Sequence, residues 1–598
     1  MSDIFGLVCR EKVGGHVLYT GLRRLFYRGV DGSGVAFVDD SGSVVVRKKA
    51  VSIDRAREVL SIDDISTDIA IGHVWHAVRG APVDENSQPH RGCRGEVFVV
   101  SDGLIKNYDE LKRELRGKGH VFTTTTDSEV LAHILEDRLD EGLSVLEALR
   151  ETGLRAIGVY TAIFMVRGAR LLGFVARELP IVLGLGEKCF FISSDTPSLY
   201  GIAREALVIE EDAVGVVSDS GFQIISLETG GELRAFTRKV LKREYEYPEK
   251  GGYPHFMLKE IYEVPEALRR TILSLMEKYL RLAAMIIANA RGVVIIGSGS
   301  SYHAGLLGQY YFSKLAQISS SVVYASEFPH YAVEGVTTGT VVLAVSQSGE
   351  TSDVIKSVKL AKSRGAVVIG VTNTLGSRLT LHSNVYLPIG AGPELAIPAT
   401  KTFTSTIAAL LILATYTGLY RGVVSESSLR EVYDELEQVA VSIGKSLREV
   451  ESRAEKLAAT IRDAPIVYVV GSGVLHPIAL EGVLKLKEAS LTHAVGLQMG
   501  ELRHGHIAVL GGGAPVILLE PLEEDALELY EKLKTLLEER KARVIEVGRR
   551  GDLPVPESGA LVAPIAYAVS LQMLAYKLGV AKNAPIDTPP GLVKAVTV

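Results

Sequence analysis

Hydroxyls, an amide and a flexible glycine are concentrated in Ser346-Gln347-Ser348-Gly349-Glu350-Thr351. This run lies between the apolar segment Val341–Val345 and a helical pattern from Asp353 to Ser363. A strand therefore delivers neutral donors to the start of a helix, whose free N–H groups and partial positive charge suit a phosphate. The same residues would also make an ordinary capped strand-to-helix turn. A second loop, Gly297-Ser298-Gly299-Ser300-Ser301, separates another apolar run from a helix over Tyr302–Leu315. It is not a dinucleotide fingerprint, because its third glycine position falls near His303 and no suitable acidic residue ends a following strand. Together the two loops read as walls of a sugar-phosphate pocket. Further on, Glu481, Lys485 and Glu488 share one helix face; an isolated pattern of that kind is ordinarily a solvated salt-bridge face. Gly500–His506 sets His504 in a glycine-flanked turn, and the stiff tail Thr588-Pro589-Pro590-Gly591-Leu592-Val593-Lys594 holds one lysine.

The elements that must position these groups form two contrasting halves. A chain of 598 residues implies three or four domains. Residues 1 to about 225 are dense in short β-type runs, with helical patterns at Tyr108–Lys118 and Ser128–Leu139, which predicts an α+β sandwich. A polar, aromatic segment, Lys242–Tyr253, reads as a linker. Beyond Pro265, helices alternate with apolar strands as in a parallel α/β sheet. There Val293–Gly299 is echoed by Val467–Gly473, so two α/β subdomains of like design are expected. The second copy has Glu520-Pro521-Leu522-Glu523 where the first has its serine-rich loop. The expected domains are 1–225, a linker at 226–265, then 266–430 and 431–598.

Composition excludes several classes. A net charge of −6 without a basic block argues against nucleic acid. The run Thr404–Leu419 is too short and too polar for a membrane span, so a buried helix is expected. Cys9, Cys93 and Cys189 are scattered, with no CxxC and no evident pairing, and no signal peptide opens the chain. These features predict a reducing, cytoplasmic setting. No cofactor and no metal is expected.

The motifs SQSGET (346–351), ATKTFT (399–404), ALEGVLKLKE (479–488), GELRHG (500–505) and the terminal LVKAVTV (592–598) closely resemble the glutamine–fructose-6-phosphate aminotransferase (isomerizing) family, over nearly the whole length. The resemblance implies a class II glutamine amidotransferase-like, N-terminal-nucleophile αββα domain followed by two sugar isomerase (SIS) subdomains, doubly wound α/β. It implies that Ser300, Ser301, Ser346, Gln347, Ser348 and Thr351 hold the sugar phosphate. Lys594 would form an imine with the C2 carbonyl of fructose 6-phosphate, and Glu488 would move the proton between C1 and C2. His504 would assist ring opening from a neighbouring subunit, hence a homodimer, and Lys485 would be the electrostatic partner of Glu488. Amine, carboxylate and imidazole are the groups that ketose opening, carbonyl activation and proton transfer need.

The first domain departs from the family. Ser2 stands where the nucleophilic cysteine is expected, and a hydroxyl is a far poorer nucleophile at neutral pH. Trp75 replaces the arginine that grips the glutamine carboxylate, which removes a bidentate guanidinium; Arg79 could compensate only if it points inward. The oxyanion-hole pair reads Asp102-Gly103, and a carboxylate there repels a developing oxyanion. Asp127 matches the family residue that binds the substrate amine. Cys9, inside the first strand, is no substitute nucleophile. Loss of glutamine hydrolysis is therefore expected, with ammonia, free or from another protein, as nitrogen source for glucosamine 6-phosphate. The alternatives are a glucosamine-6-phosphate deaminase, a ketose/aldose-phosphate isomerase, a glutamine-dependent synthase using Ser2, or a sugar-phosphate-binding regulatory module.

Overall fold

The computed structural model describes residues 2–25, 31–76, 80–209, 212–234, 236–241 and 250–596, without the side chains of Ser2 and Lys239. Arg79, residues 242–249 of the expected linker and the final two residues of the terminal motif lie outside the described residues. The chain divides into two compact units, Met1–Tyr247 with Val593–Val598, and Pro248–Leu592.

The first unit opens with β1 (Ser2–Gly14), α1 (Gly15–Arg23), β2 (Gly32–Val38), β3 (Val44–Lys49), α2 (Ile53–Val59) and β4 (Ser66–Trp75). It continues with β5 (His90–Arg91), β6 (Val97–Ile105), α3 (Tyr108–Gly117), α4 (Glu129–Asp140), α5 (Val145–Arg155), β7 (Gly158–Val166) and β8 (Leu171–Arg177). It closes with β9 (Ile181–Leu185), β10 (Cys189–Ser193), β11 (Glu205–Ile209), β12 (Ala213–Ser218), β13 (Phe222–Ser226) and β14 (Thr237–Val240). Among the described residues these strands make an eight-stranded sheet, β14-β11-β9-β10-β1-β4-β2-β3, and a six-stranded sheet, β13-β12-β8-β7-β6-β5.

Strand alternation explains the layering. On β1, Ile4 and Val8 face one core with Phe98, Val100, Ile163 and Phe174 of the second sheet. Phe5, Leu7 and Cys9 face the opposite core with Leu18 and Leu22 of α1. A third core joins the outer face of the second sheet to α4 and α5. The result is an αββα sandwich, each strand being read on alternate faces. Helices α1, α2 and α5 were not among the sequence expectations. For α5 a readable signal existed, because Ser144 and Glu147 form a capping box. Strand β14, within the segment 226–265, pairs with β11.

One expectation about the cysteines is overturned. Cys9 and Cys189 form a disulfide. They are register partners on the antiparallel pair β1 and β10, with Cα atoms 4.1 Å apart. Their 180-residue separation hid a pairing that only the strand register creates. Cysteine usage therefore gives no support to a reducing compartment.

The second unit begins with α6 (Phe256–Tyr262), α7 (Val264–Ser274) and α8 (Glu277–Ala288). Its first repeat contains β15 (Gly292–Gly297), α9 (Ser300–Ala316), β16 (Ser320–Tyr324), β17 (Thr340–Val345), α10 (Ser352–Ser363), β18 (Val367–Thr372), α11 (Arg378–His382) and β19 (Val385–Pro388). The long helices α12 (Lys401–Tyr420) and α13 (Glu426–Ile461) follow. The second repeat contains β20 (Val467–Gly471), α14 (Leu475–Ser490), β21 (Ala494–Gln498), β22 (Pro515–Leu519), α15 (Glu524–Glu539), β23 (Arg543–Gly548), β24 (Leu553–Pro554) and α16 (Ala563–Ala581). The sheets run β16-β15-β17-β18-β19 and β21-β20-β22-β23-β24. Among the described residues all strand pairs in both are parallel, and corresponding strands hold corresponding places. Helix α12 is long and apolar enough to cross a membrane, but its apolar window is 94% buried inside the protein. It packs against α7, α8, α9 and α13 as a core helix.

Candidate active site

The strand order of the first parallel sheet locates a crevice. The chain leaves β15 for β16 on one side and returns to β17 on the other, so the two loops that follow β15 and β17 diverge. Ligands of open α/β sheets bind at such a reversal, beyond the carboxyl ends of the strands. Ser300 and Ser301 open α9 at the first of these ends, and Ser346–Thr351 join the second to α10.

Neither helix is capped by a side chain: Gly299 has none, and Thr351 makes no cap hydrogen bond. Their first N–H groups therefore lack the usual side-chain acceptor. Within the loop, Ser346 Oγ accepts from Gly349 N at 3.1 Å and lies 3.1 Å from Thr351 Oγ1. Ser348 Oγ accepts from Glu350 N at 3.1 Å. Gly349 has φ +67°, and a Cβ there would meet Ser377 Oγ at 2.1 Å, so both backbone and space require glycine. The loop's own acid is engaged: Glu350 accepts from Arg378 Nε at 2.8 Å and from Arg378 N at 2.9 Å. That pairing balances the negative charge of the loop itself.

Helix α14 brings the second repeat to the first. Glu481 accepts from Ser300 Oγ at 2.8 Å and pairs with His303 Nδ1 at 2.7 Å. Lys485 Nζ lies 3.3 Å from Glu481 and donates to Ser300 Oγ at 3.2 Å and to Glu488. Glu481 and Lys485 are 1% and 0% exposed, so this face is not the solvated one an isolated pattern suggests. Burial alone would raise the pKa of Glu481, but Lys485 and His303 outweigh it and hold the carboxyl below its usual range. Burial likewise pulls Lys485 down, and Glu481, Glu488 and Glu394 outweigh it, raising its pKa. Lys485 is thus kept as an ammonium, which disqualifies it as an amine nucleophile and suits it to fix nearby negative charge.

Sequence reading missed Glu394 and the partnership of His303 with Glu481. Glu394 is 5% exposed and accepts from Thr400 N (2.9 Å), Thr402 N (3.1 Å) and Thr402 Oγ1 (2.6 Å), anchoring the start of α12. The ATKTFT run, noted in the sequence only as a family motif, contains that helix start. Lys401, in the same run, pairs with Glu263 at 2.5 Å. His504 follows a short 3-10 turn, Gly500–Arg503, and is exposed. Lys594 belongs with the first unit and is half-buried.

In the first unit, Ser2 and Trp75 are register partners on β1 and β4, and Trp75 is buried. His76 Nδ1 pairs with Asp31 at 2.8 Å. Asp102 is 3% exposed on β6. Gly103 has φ +111°, and a Cβ there would meet Val159 O at 2.2 Å. Asp127 Oδ2 accepts from Ile105 N at 2.8 Å, so its carboxylate is tied to the end of the strand that carries Asp102 and Gly103.

Comparison with known proteins agrees with this architecture. The SIS domain family model matches residues 286–416 and 460–580, and the glutamine amidotransferase domain model matches 61–212. The glutamine–fructose-6-phosphate aminotransferase (isomerizing) of Thermococcus kodakarensis is 37% identical over 611 residues, covering 100% of both chains. That of Aeropyrum pernix is 36% identical over 623 residues, again covering 100% of both. Among solved structures, the C-terminal domain of glucosamine-fructose-6-phosphate aminotransferase from Francisella tularensis aligns with TM-score 0.53 and 29% identity, covering 57% of this chain and 100% of that one. The chain belongs to the glutamine–fructose-6-phosphate aminotransferase (isomerizing) family.

Proposed function

We propose that this protein converts fructose 6-phosphate to glucosamine 6-phosphate with ammonia rather than with glutamine hydrolysed at its own N-terminal site. The observation that carries the acceptor half is the buried network Ser300–Glu481–Lys485–Glu488 beside two uncapped helix starts at one sheet reversal. In this reading Ser300, Ser301, Ser346, Gln347, Ser348 and Thr351 hold the phosphate. Lys485 stays charged and donates to Glu488, the carboxylate that would take the C1 proton. The imine role of Lys594 and the ring-opening role of His504 rest on the family resemblance. The exposure of His504 supports action in the pocket of a neighbouring subunit, and we take the protein to be a homodimer. We also take it to be cytoplasmic, with a glutaminase-like domain at 1–225 and SIS domains at 266–430 and 431–598.

Loss of glutaminase chemistry is supported by Trp75 opposite Ser2 and by a buried carboxylate, Asp102, where an oxyanion would need a neutral donor. The test gives purified protein fructose 6-phosphate with ammonium, or with glutamine, and measures glucosamine 6-phosphate. Product with ammonium alone is expected, and equal efficiency with glutamine refutes the loss. Release of ammonia from glucosamine 6-phosphate without net synthesis would favour the deaminase. Lys594→Ala is expected to abolish turnover; survival of turnover would overturn the imine assignment.

A further inference from the structure

We propose that the first unit holds a structural divalent metal ion of the zinc class, bound by Cys93, His120, His133 and Glu136. Their ligand atoms all lie within 4.8 Å of one another. They come from three segments: the turn between β5 and β6, the loop that follows α3, and two positions three apart on α4. Cys93 Sγ is 3.3 Å from His120 Nδ1 and 3.7 Å from Glu136 Oε2. His120 Nδ1 is 3.2 Å from His133 Nδ1, and His133 Nδ1 is 3.8 Å from Glu136 Oε2. Zinc bond lengths to sulfur, nitrogen and oxygen give ligand-to-ligand edges of roughly 3.3–3.6 Å for a tetrahedron. The four measured edges bracket that range, so the groups need only settle around an ion.

Proton placement accommodates a metal. His133 is fully buried, and its Nε2 has no hydrogen-bond partner. If its Nδ1 donated to His120, that Nε2 would be a buried lone pair facing the Glu129 carboxylate 3.8 Å away. With Nδ1 on a metal, the proton moves to Nε2 and points at that carboxylate. His120 has the same plan, with Nδ1 inward and Nε2 3.8 Å from Asp137. Outward carboxylates on ligating imidazoles are the usual orienting shell of a metal site. Glu136 is oriented as well: Oε1 accepts from Arg94 N at 3.1 Å while Oε2 faces the cluster. Two neutral imidazoles, a thiolate and a carboxylate exactly offset a dication, so the buried site closes without net charge. The mixed S, N and O donor set favours zinc over magnesium or calcium, and four protein ligands leave no open position for catalysis. Cys93 is exposed, which supplies an entry path.

The ion would reach the degraded glutamine pocket through Glu129. That residue also accepts from Thr123 N (2.7 Å), Thr124 N (2.9 Å) and both of those threonines' hydroxyls. It thereby shapes the loop that leads to Asp127.

The test uses the full-length protein, stripped with chelator and titrated separately with Zn2+ and Co2+. One ion per chain is expected, and Co2+ should show a thiolate charge-transfer band with tetrahedral d–d intensity. Cys93→Ser should abolish that band, and Cys93→Ser and Glu136→Gln should each weaken binding at least tenfold. Asp137→Asn, which leaves all four ligands in place, should weaken it about 10–100-fold. A folded wild-type chain that takes up no Co2+ overturns the proposal, as does a Cys93→Ser protein with the wild-type stoichiometry and spectrum.

Discussion

Replacing Lys485 with methionine removes the ammonium that faces Glu481 and Glu488 while keeping most of the side-chain volume. Two carboxylates are then left at a site where Glu481 is 1% exposed, with Ser300, at 2.8 Å, and His303, at 2.7 Å, as its remaining contacts. Breaking a buried pair from one side costs about 3–5 kcal/mol, because the orphaned charge stays desolvated. With a urea slope of roughly 3 kcal/mol per molar, that loss lowers the unfolding midpoint of the second unit by about 1–1.7 M. The protein separates the units optically: its one tryptophan, Trp75, is buried in the first unit. Far-UV circular dichroism should therefore show an earlier transition while tryptophan fluorescence keeps its midpoint. Without the ammonium, Glu488 loses the donor that fixes it, and ammonium-dependent kcat should fall at least tenfold. Glu481→Gln in the same background should recover part of the stability, since the orphaned carboxylate is gone. An unchanged midpoint together with unchanged ammonium-dependent turnover would refute the charged network.

Further outcomes follow from other elements. Ser346→Ala and Thr351→Ala should each weaken sugar-phosphate binding by up to about tenfold, the worth of one neutral hydrogen bond, read as a rise in KM with kcat nearly kept. The disulfide closes a loop of 180 residues, which gives an entropic stabilisation near 5 kcal/mol for the first unit at most. Dithiothreitol, or the pair Cys9→Ala and Cys189→Ala, should lower the fluorescence midpoint and spare the second unit. His73 and His90 are buried and held neutral, chiefly by desolvation, His90 down to about 3. Their folded pKa values lie below the unfolded one, so unfolding takes up protons and the first unit should lose stability progressively as pH falls from about 6.5 towards 3. Fluorescence melts at pH 7.5 and 4.5 check this, and equal midpoints would contradict it.

What the sequence disclosed and what it hid divide along the reach of each interaction. The serine loop, the repeat and the Glu481–Glu488 helix pattern were legible because each is a contiguous motif that follows from residue type and spacing. The buried state of Glu481 was not, because its partner His303 lies 178 residues away on another helix. Cys9 and Cys189 looked unrelated until the register of β1 against β10 placed them face to face. Cys93, His120, His133 and Glu136 escaped notice for the same reason, since only His133 and Glu136 share an element. Helix α5 was missed despite a local signal: its capping box stands in the sequence at Ser144 and Glu147.

The bond between Ser300 and Glu481 joins the two halves of an internal duplication. One repeat contributes the serine-rich loops and Ser300, the other the buried acid and the ammonium, so neither half holds the whole network on its own. A gene for a single repeat would yield only half of this constellation and could complete it only by meeting a second copy. Within one chain the two copies differ at the equivalent place, the later one carrying Glu520–Glu523 where the earlier has its serine loop. Cutting the chain between α13 and β20 is for this reason a test of ancestry as well as of folding, because the two fragments can regain chemistry only by reassembling.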